Sequence, residues 1–520
     1  MIPRLISGLW RRFLFATLQI RLRTLGIGDS AVPPGEPGII VIQIDGLGYD
    51  VLTRAIKRGK APFLSYLLRR QGYTLKPYFS GVPSITTAVE AELFYGKSDA
   101  IPAFSWFHRQ LGLFIRGDQS EHVKILEQTL FAGVVHPLVE GGTMIAGAYS
   151  GRAAMTNISP AYQAMKSRLN RWLGYRVLLV PLFNPFRFWR MLIVLTGSVL
   201  YQFARATKNR SKSLFLDEFA TLMIRLFLCD LASAIAVNDI WRKTPALFLN
   251  LSLVDKVSHA HGIRHEVVFG SIRLMDLYCK KIYEAGRAAP RAYRYIVLSD
   301  HGQSPGIPFA AITGETLETL LTHAIAGNGG THIFVTNGEY GQLNGPIRPN
   351  TLYAIPSSSI CHIYFSRYMP RGADRETIEA DYPHLIPVLL SHPGIGWIMM
   401  RQKDGTRILL ARAGGSSALF QNGKLLSTRG KPIDLPDASV LLVALARLSE
   451  CENNGDLVIF GGYHANAWAS FEPYWGTHGS FTGEMVRPFM LTDDAKLITL
   501  LSSGASHRDI FRRIRQMRRG

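Results

Sequence analysis

The chain has 520 residues, 47% of them hydrophobic and 18% charged, which excludes a disordered polar chain and allows a large catalytic core with insertions. Its 58 Lys and Arg against 38 Asp and Glu give a formal charge of +20, which suits anionic partners: nucleic acid, anionic lipid or phosphorylated substrates. Four scattered cysteines, Cys229, Cys279, Cys361 and Cys451, form no CxxC pair and no disulfide framework, as in a reduced, cytoplasmic chain.

Residues 1–30 open with Ile2, Leu5, Ile6, Leu9, Trp10, Phe13 and Leu14 at helical spacing among Arg4, Arg11 and Arg12, a basic amphipathic helix. The apolar run Phe13–Ile20 is short, flanked by arginines and without a small-residue cleavage site, which disfavours a signal peptide. After the linker AVPPGEPG, residues 36–100 begin a catalytic core with the apolar strand 38–44, which ends at Asp45-Gly46. Residues 101–165 do not follow this pattern and read as an insertion.

Residues 166–225 read as a basic-hydrophobic insertion, in which VLLVPLFNPF and MLIVLTGSVLYQFA are bracketed by Lys166, Arg168, Arg171 and Arg176 and by Arg205, Lys208, Arg210 and Lys212. The uninterrupted run Met191–Ala204 is shorter than the roughly 18–20 residues of a spanning helix, and the expectation is a surface-seated or re-entrant segment. A buried helix pair is the plainer alternative.

Residues 226–325 return to the core, with ALFLNLSLV running into Asp255 and YRYIVLS into Asp300-His301-Gly302. Residues 326–455 read as an α+β cap-like insertion, with a strand–helix–strand unit and a hairpin at ALFQNGKLL. Core residues 456–500 carry the strand DLVIF and the loop of His478, and residues 501–520 form a basic amphipathic helix with Ile510, Phe511, Ile514 and Met517 on one face. Three basic amphipathic segments favour an anionic membrane surface, at its cytoplasmic face, over nucleic acid, for which no recognition signature is present.

Strand–helix alternation predicts an α/β sandwich with a largely parallel central sheet and helices on both faces. Ligands bind beyond the carboxyl ends of such strands, so Asp45, Asp255 and Asp300 fall where side chains converge on one crevice. A lone Asp there is usually a cap; three, with His259 and His301 close in sequence to two of them, are poorly explained by capping.

The contexts IDG at Asp45, PSITT at Thr86, DKVSH at Asp255 and His259, SDHG at Asp300 and His301 and GTHG at His478, in this order, resemble the alkaline phosphatase superfamily. The closest branch is the type I phosphodiesterase/nucleotide pyrophosphatase one, and the likeness covers the core strands and the His478 loop. The resemblance implies an alkaline-phosphatase-like fold and two divalent ions, Zn²⁺ by donor chemistry with Mn²⁺ or Fe as alternatives. It implies one ion on Asp45, Asp300 and His301, and the other on Asp255, His259 and His478. It also implies a nucleophilic Thr86, touching the metals, three residues after Pro83; Ser84 and Thr87 are the neighbouring alternatives.

Departures from the pattern bear on the substrate. Val89 stands where nucleotide-cleaving relatives carry an Asn, no C/S-x-P-x-R follows Thr86 as a sulfatase would need, and Ser258 replaces a small Gly. Lys256 beside Asp255 either points away or reaches a phosphate oxygen, and His261 reads as an extra histidine. The expected function is hydrolysis of a phosphodiester or phosphomonoester, lipid-linked or otherwise anionic, at a membrane surface. Phosphoethanolamine or phosphoglycerol transfer, or a non-catalytic scaffold, are the alternatives.

Overall fold

The computed structural model describes residues 36–160, 212–326, 330–336, 346–412 and 415–518. Residues 1–30 and most of 166–225, with their expected amphipathic segments, lie outside the described residues. Among the described residues, no helix is long and apolar enough to cross a membrane.

The central sheet has seven strands, in the order Thr74–Pro77, Phe489–Thr492, Tyr293–Leu298, Gly38–Ile44, Ala246–Leu251, Thr143–Ile145 and Met155–Asn157. The last five run parallel, and the first two add an antiparallel edge. The α/β architecture with a largely parallel sheet is therefore present. Alternation along the strands divides the interior into two cores. Ile40, Ile42 and Ile44 join Leu247, Leu249 and Leu251 under the helices Tyr49–Lys57, Pro62–Arg70, Leu253–His261 and Glu266–Ala288, and under part of Lys212–Trp241. Ile39, Val41, Ala246 and Phe248 pack on the other face, against Thr86–Tyr95, Ala495–Ser502 and His507–Met517.

The strands Thr143–Ile145 and Met155–Asn157 correct the reading of 101–165 as an insertion outside the core. Three-residue strands leave no apolar run long enough to recognise, yet both extend the parallel sheet.

A second sheet of eight strands gathers residues 332–461, antiparallel except for the pair His332–Val335 and Thr351–Ser357. Its strand–helix–strand unit is Ile360–Phe365, Leu385–Ser391 and Ile395–Arg401. The hairpin Ser417–Gln421/Lys424–Arg429 turns at Asn422 and Gly423, with φ of 50° and 68°, as a two-residue turn with both centres left-handed requires. Leu457–Gly461, expected in the catalytic core, lies in this sheet instead, between Ile360–Phe365 and Ile395–Arg401. An apolar run buried on both faces does not disclose which sheet it joins.

The C-terminal helix is also corrected. Ile510, Phe511, Ile514 and Met517 are at most 2% exposed, packed into the core beside the Thr86–Tyr95 helix, so that face is unavailable to a lipid surface. Two of its arginines are spent internally: Arg513 pairs with Asp494 at 2.7 Å, and Arg515 donates to the carbonyls of Glu92 and Leu93 at the end of the Thr86–Tyr95 helix. Cations at a helix C-terminus are favourable there.

Candidate metal centre

Each site residue is delivered by a short structural device. Asp45 follows the strand Gly38–Ile44, and Gly46 takes φ +69°, where a Cβ would stand 2.7 Å from Asp255 Oδ1. Only glycine lets the two aspartates come this close. The strand expected to run to residue 254 stops at Leu251, and Asp255 lies in the first turn of the helix Leu253–His261. That spacing sets Asp255 and His259 one turn apart on one helix face, with His259 Nε2 3.3 Å from Asp255 Oδ1. Asp300 and His301 follow the strand Tyr293–Leu298, and His478 follows the short strand Gly476–Thr477.

All seven residues named from sequence come together. Asp45, Asp300 and His301 form one buried group able to hold a metal ion, and Asp255, His259 and His478 form another; within each, the ligand atoms lie within 4.8 Å of one another. The groups abut: the rings of His301 and His478 stack with centroids 4.0 Å apart. Thr86, first residue of its helix, directs Oγ1 to 3.3 Å from His301 Nε2 and 3.5 Å from Asp45 Oδ1. Its neighbours face elsewhere: Ser84 Oγ donates to Ser480 O at 2.7 Å and Thr87 Oγ1 to Ala103 O at 3.1 Å. His261 is exposed and stacks on His265.

The donor set fits divalent cations. His259, His301 and His478 each donate Nδ1–H to a backbone carbonyl, of Gly476, Gly302 and Ser84, at 2.7, 3.0 and 3.0 Å. That fixes the tautomer and leaves each Nε2 lone pair toward the centre. Asp300 Oδ2 is buried with no hydrogen-bond partner among the described residues. Burial, followed by the charges of Asp300 and Asp255, pushes the Asp45 carboxyl well above its ordinary range. Burial acts the same way on Asp255, but His259, Lys256 and His478 outweigh it and hold Asp255 well below that range. Burial, His301 and His259 keep His478 well below its usual value, in the direction that favours the neutral, ligating imidazole. Three crowded carboxylates and three oriented imidazoles are an arrangement that bound cations would stabilise.

Residues 39–342 match the family described as Type I phosphodiesterase / nucleotide pyrophosphatase. The chain belongs to that family. As a member it is a phosphoester hydrolase of the alkaline phosphatase superfamily. No curated protein matches the sequence. Among solved structures, phosphonoacetate hydrolase from Sinorhizobium meliloti 1021 with phosphonoformate aligns at TM-score 0.47 and 13% identity, over 94% of this chain and 98% of that one. An inactive murine ectonucleotide pyrophosphatase / phosphodiesterase 5 in complex with AMP aligns at 0.46 and 10%, over 93% and 95%. The human ectonucleotide pyrophosphatase / phosphodiesterase 5 gives 0.45 and 11% over the same shares.

Around this phosphodiesterase centre lie groups that the sequence reading missed. Asn250 Nδ2 donates to Asp45 Oδ2 at 3.0 Å, and Gln303 Nε2 donates to Asp255 Oδ1 at 2.5 Å. Both amides have a sequence signal in hindsight: Asn250 is a polar residue inside an apolar strand, and Gln303 follows the SDHG turn directly. Lys256, whose direction sequence left open, turns inward, with Nζ 3.3 Å from Asp255 Oδ2.

Glu90, in the Thr86–Tyr95 helix, is also fully buried, accepting from Gln43 Nε2 at 3.0 Å and Ala148 N at 2.6 Å. Burial pushes its carboxyl up to about 8. Because the folded value lies above the unfolded one, this site loses stability as pH rises from about 4.5 to about 8. A glutamine can accept from Ala148 and donate to Gln43 Oε1, which has no hydrogen-bond partner among the described residues. Glu90→Gln is therefore expected to match the parent near pH 4.5 and to exceed it by a few kcal/mol (on the order of 3–4) at pH 8. Denaturant titration at both pH values checks this, and parallel stability curves would contradict it.

Proposed function

We propose that the chain is a two-cation phosphoesterase with Thr86 as nucleophile. Asp45, Asp300 and His301 would hold one cation and Asp255, His259 and His478 the other, with Zn²⁺ favoured by mixed imidazole and carboxylate donors. The observation that carries this reading is the position of Thr86 Oγ1, within 3.5 Å of both His301 Nε2 and Asp45 Oδ1.

Bound cations would lower the hydroxyl pKa and neutralise charge on the attacking, leaving and non-bridging oxygens. Thr86 Oγ attacks phosphorus, the ester oxygen leaves as the alcohol, and a phosphothreonine remains. Water then attacks this phosphothreonine, releasing phosphate or a phosphomonoester and restoring the hydroxyl. The start of the Thr86–Tyr95 helix favours the anionic group through its N-terminal dipole. Lys256 adds a positive charge beside Asp255.

The resemblance sets Val89, 2% exposed in the core, where nucleotide-cleaving relatives carry an Asn, and this supports a narrower substrate class. A diester or monoester other than a nucleotide is the proposed substrate. Its lipid-linked character and a seat on the cytoplasmic face of an anionic membrane rest on residues 1–30 and 166–212 and on the net charge of +20.

Purified protein should hold about two equivalents of Zn²⁺. It should hydrolyse bis-p-nitrophenyl phosphate or p-nitrophenyl phosphate, the faster of the two separating diesterase from monoesterase. Absence of bound divalent metal, together with no turnover of either ester, would overturn the proposal.

A further inference from the structure

At the far end of the second sheet, a cavity of about 350 Å³ is lined by four arginines, Arg109, Arg371, Arg401 and Arg407. It is remote from the metal centre. The strand Ile360–Phe365 links the two: Ser359, just before it, donates N–H to His478 O at 2.9 Å, and Phe365, at its other end, donates N–H to Asp456 Oδ2 in the cavity wall at 2.9 Å. Six residue steps of extended chain set the two sites roughly 20 Å apart.

Two of the guanidiniums are anchored through backbone carbonyls. Arg401 donates Nη2 to Gly372 O at 3.1 Å, and Arg407 donates Nε to Ser449 O and Nη1 to Gly405 O at 3.1 and 2.7 Å. Arg109 donates to Asp456 Oδ1 at 3.0 Å, and Asp456 also accepts from Phe365 N and Ala373 N. Gly372, at φ +78°, lets the backbone close on this pair; a Cβ there would stand 2.7 Å from Arg109 Nη1. Arg371 is exposed at the rim. Of the acids lining the cavity, the other is Glu452, which accepts from Gln110 Nε2 at 3.0 Å. The lining residues alone carry a net charge of about two positive, with Asp374 near Arg401 and Glu450 near Arg407 just outside them, and the buried Met399 and Val458 add apolar surface. Burial pulls Arg407 below its ordinary value; the charge of Glu450 opposes this and the like charge of Arg401 adds to it.

We propose that this cavity binds a small phosphomonoester dianion at a site separate from the metal centre. The two surplus positive charges of the lining match a dianion, and guanidiniums anchored along one edge present their remaining donors in the fork geometry that suits tetrahedral phosphate. The volume is at the lower end of small-molecule sites and the apolar surface suits a short carbon skeleton. A free phosphorylated metabolite and the headgroup of an anionic phospholipid share this chemistry.

The test is calorimetric titration of the metal-loaded full chain with methylphosphonate, which cannot be hydrolysed, beside co-sedimentation with phosphatidylcholine vesicles containing phosphatidic acid. Methylphosphonate should fill the metal centre and the cavity, giving two equivalents. Arg401→Gln/Arg407→Gln should lose one equivalent, or weaken it about 100-fold, while hydrolysis of bis-p-nitrophenyl phosphate stays within about twofold. Arg371→Glu, a rim change that disturbs no packing, should weaken the same equivalent about tenfold and decides the matter if the double variant fails to fold. Binding of free methylphosphonate assigns a soluble ligand; vesicle binding alone, lost in Arg371→Glu, assigns the headgroup. One equivalent or none in the parent, unchanged in both variants, with vesicle binding equally unchanged, overturns the proposal. A cavity equivalent that persists in a protein without hydrolase activity would separate this inference from the catalytic reading.

Discussion

Thr86→Ala is expected to lower turnover of bis-p-nitrophenyl phosphate by about 10³-fold or more, at least about 4 kcal/mol of transition-state stabilisation, while metal content stays near two equivalents. The residue is well suited to this experiment. The helix N-cap is Ile85, so the Thr86 side chain caps nothing, and it is only partly buried; its loss should change stability by no more than about 0.5 kcal/mol. Thr86→Ser, which keeps an oxygen in reach of His301 and Asp45, should retain activity within about tenfold. The two neighbouring hydroxyls give the contrast. Thr87→Ala removes one buried hydrogen bond, to Ala103 O, and should cost about 1 kcal/mol of stability; Ser84→Ala removes two, to Ser480 O and from Gly479 N, and should cost about 2 kcal/mol, each with turnover largely intact. Rate and metal analysis on the four variants check the assignment. If Thr86→Ala turns over like the parent while Ser84→Ala or Thr87→Ala does not, the nucleophile has been misplaced.

The parts of this protein legible in its sequence were those in which chemistry and position coincide. Asp45 and Asp300 close long apolar runs, and such runs have few roles in an α/β protein other than central parallel strands. Asp255 was placed at the crevice from a strand that proved one turn of helix shorter than expected, because the run 246–254 is largely apolar and period alone does not separate strand from helix. The strands Thr143–Ile145 and Met155–Asn157 were illegible, since three residues carry no periodicity. Polar supports such as Gln303 were missed for another reason: an amide's role depends on which carboxylate it meets across 48 positions of chain, and that is a tertiary fact.

The C-terminal helix shows the ambiguity of a basic amphipathic pattern. A stripe of Ile510, Phe511, Ile514 and Met517 among arginines satisfies the requirements of a lipid surface and of a protein core equally. What decides is whether a complementary apolar face exists, and here Tyr78 and the Thr86–Tyr95 helix supply one: the Tyr78 and Phe511 rings meet edge-on at 5.7 Å. The apolar face of this helix therefore offers nothing to a membrane. The same packing ties the helix that begins at Thr86 to the end of the chain.

The second large effect is expected at Asp300, and its sign depends on the cation. Asp300 is fully buried; Oδ1 accepts from Gly46 N at 3.3 Å, and Oδ2 has no hydrogen-bond partner among the described residues. Without a cation, its charge works against Asp45, whose carboxyl is raised by burial and then by Asp300 and Asp255. Asp300→Asn keeps the size and the acceptor for Gly46 while removing that charge. In chelated protein at neutral pH, the variant should therefore be at least as stable as the parent, and more stable by about 1 kcal/mol or more. With Zn²⁺ the order should reverse. Loss of a charged ligand weakens its ion by about 100-fold, and a parent saturated well above its dissociation constant keeps about 2–3 kcal/mol that the variant forgoes. Metal content of Asp300→Asn should fall toward one equivalent and turnover should be lost with it. Thermal unfolding of both proteins, with and without chelator, reads the inversion directly. A variant less stable than the parent by the same amount in both conditions would mean that Asp300 serves only as a hydrogen-bond acceptor for the Asp45-Gly46 turn, and the group of Asp45, Asp300 and His301 would hold no ion.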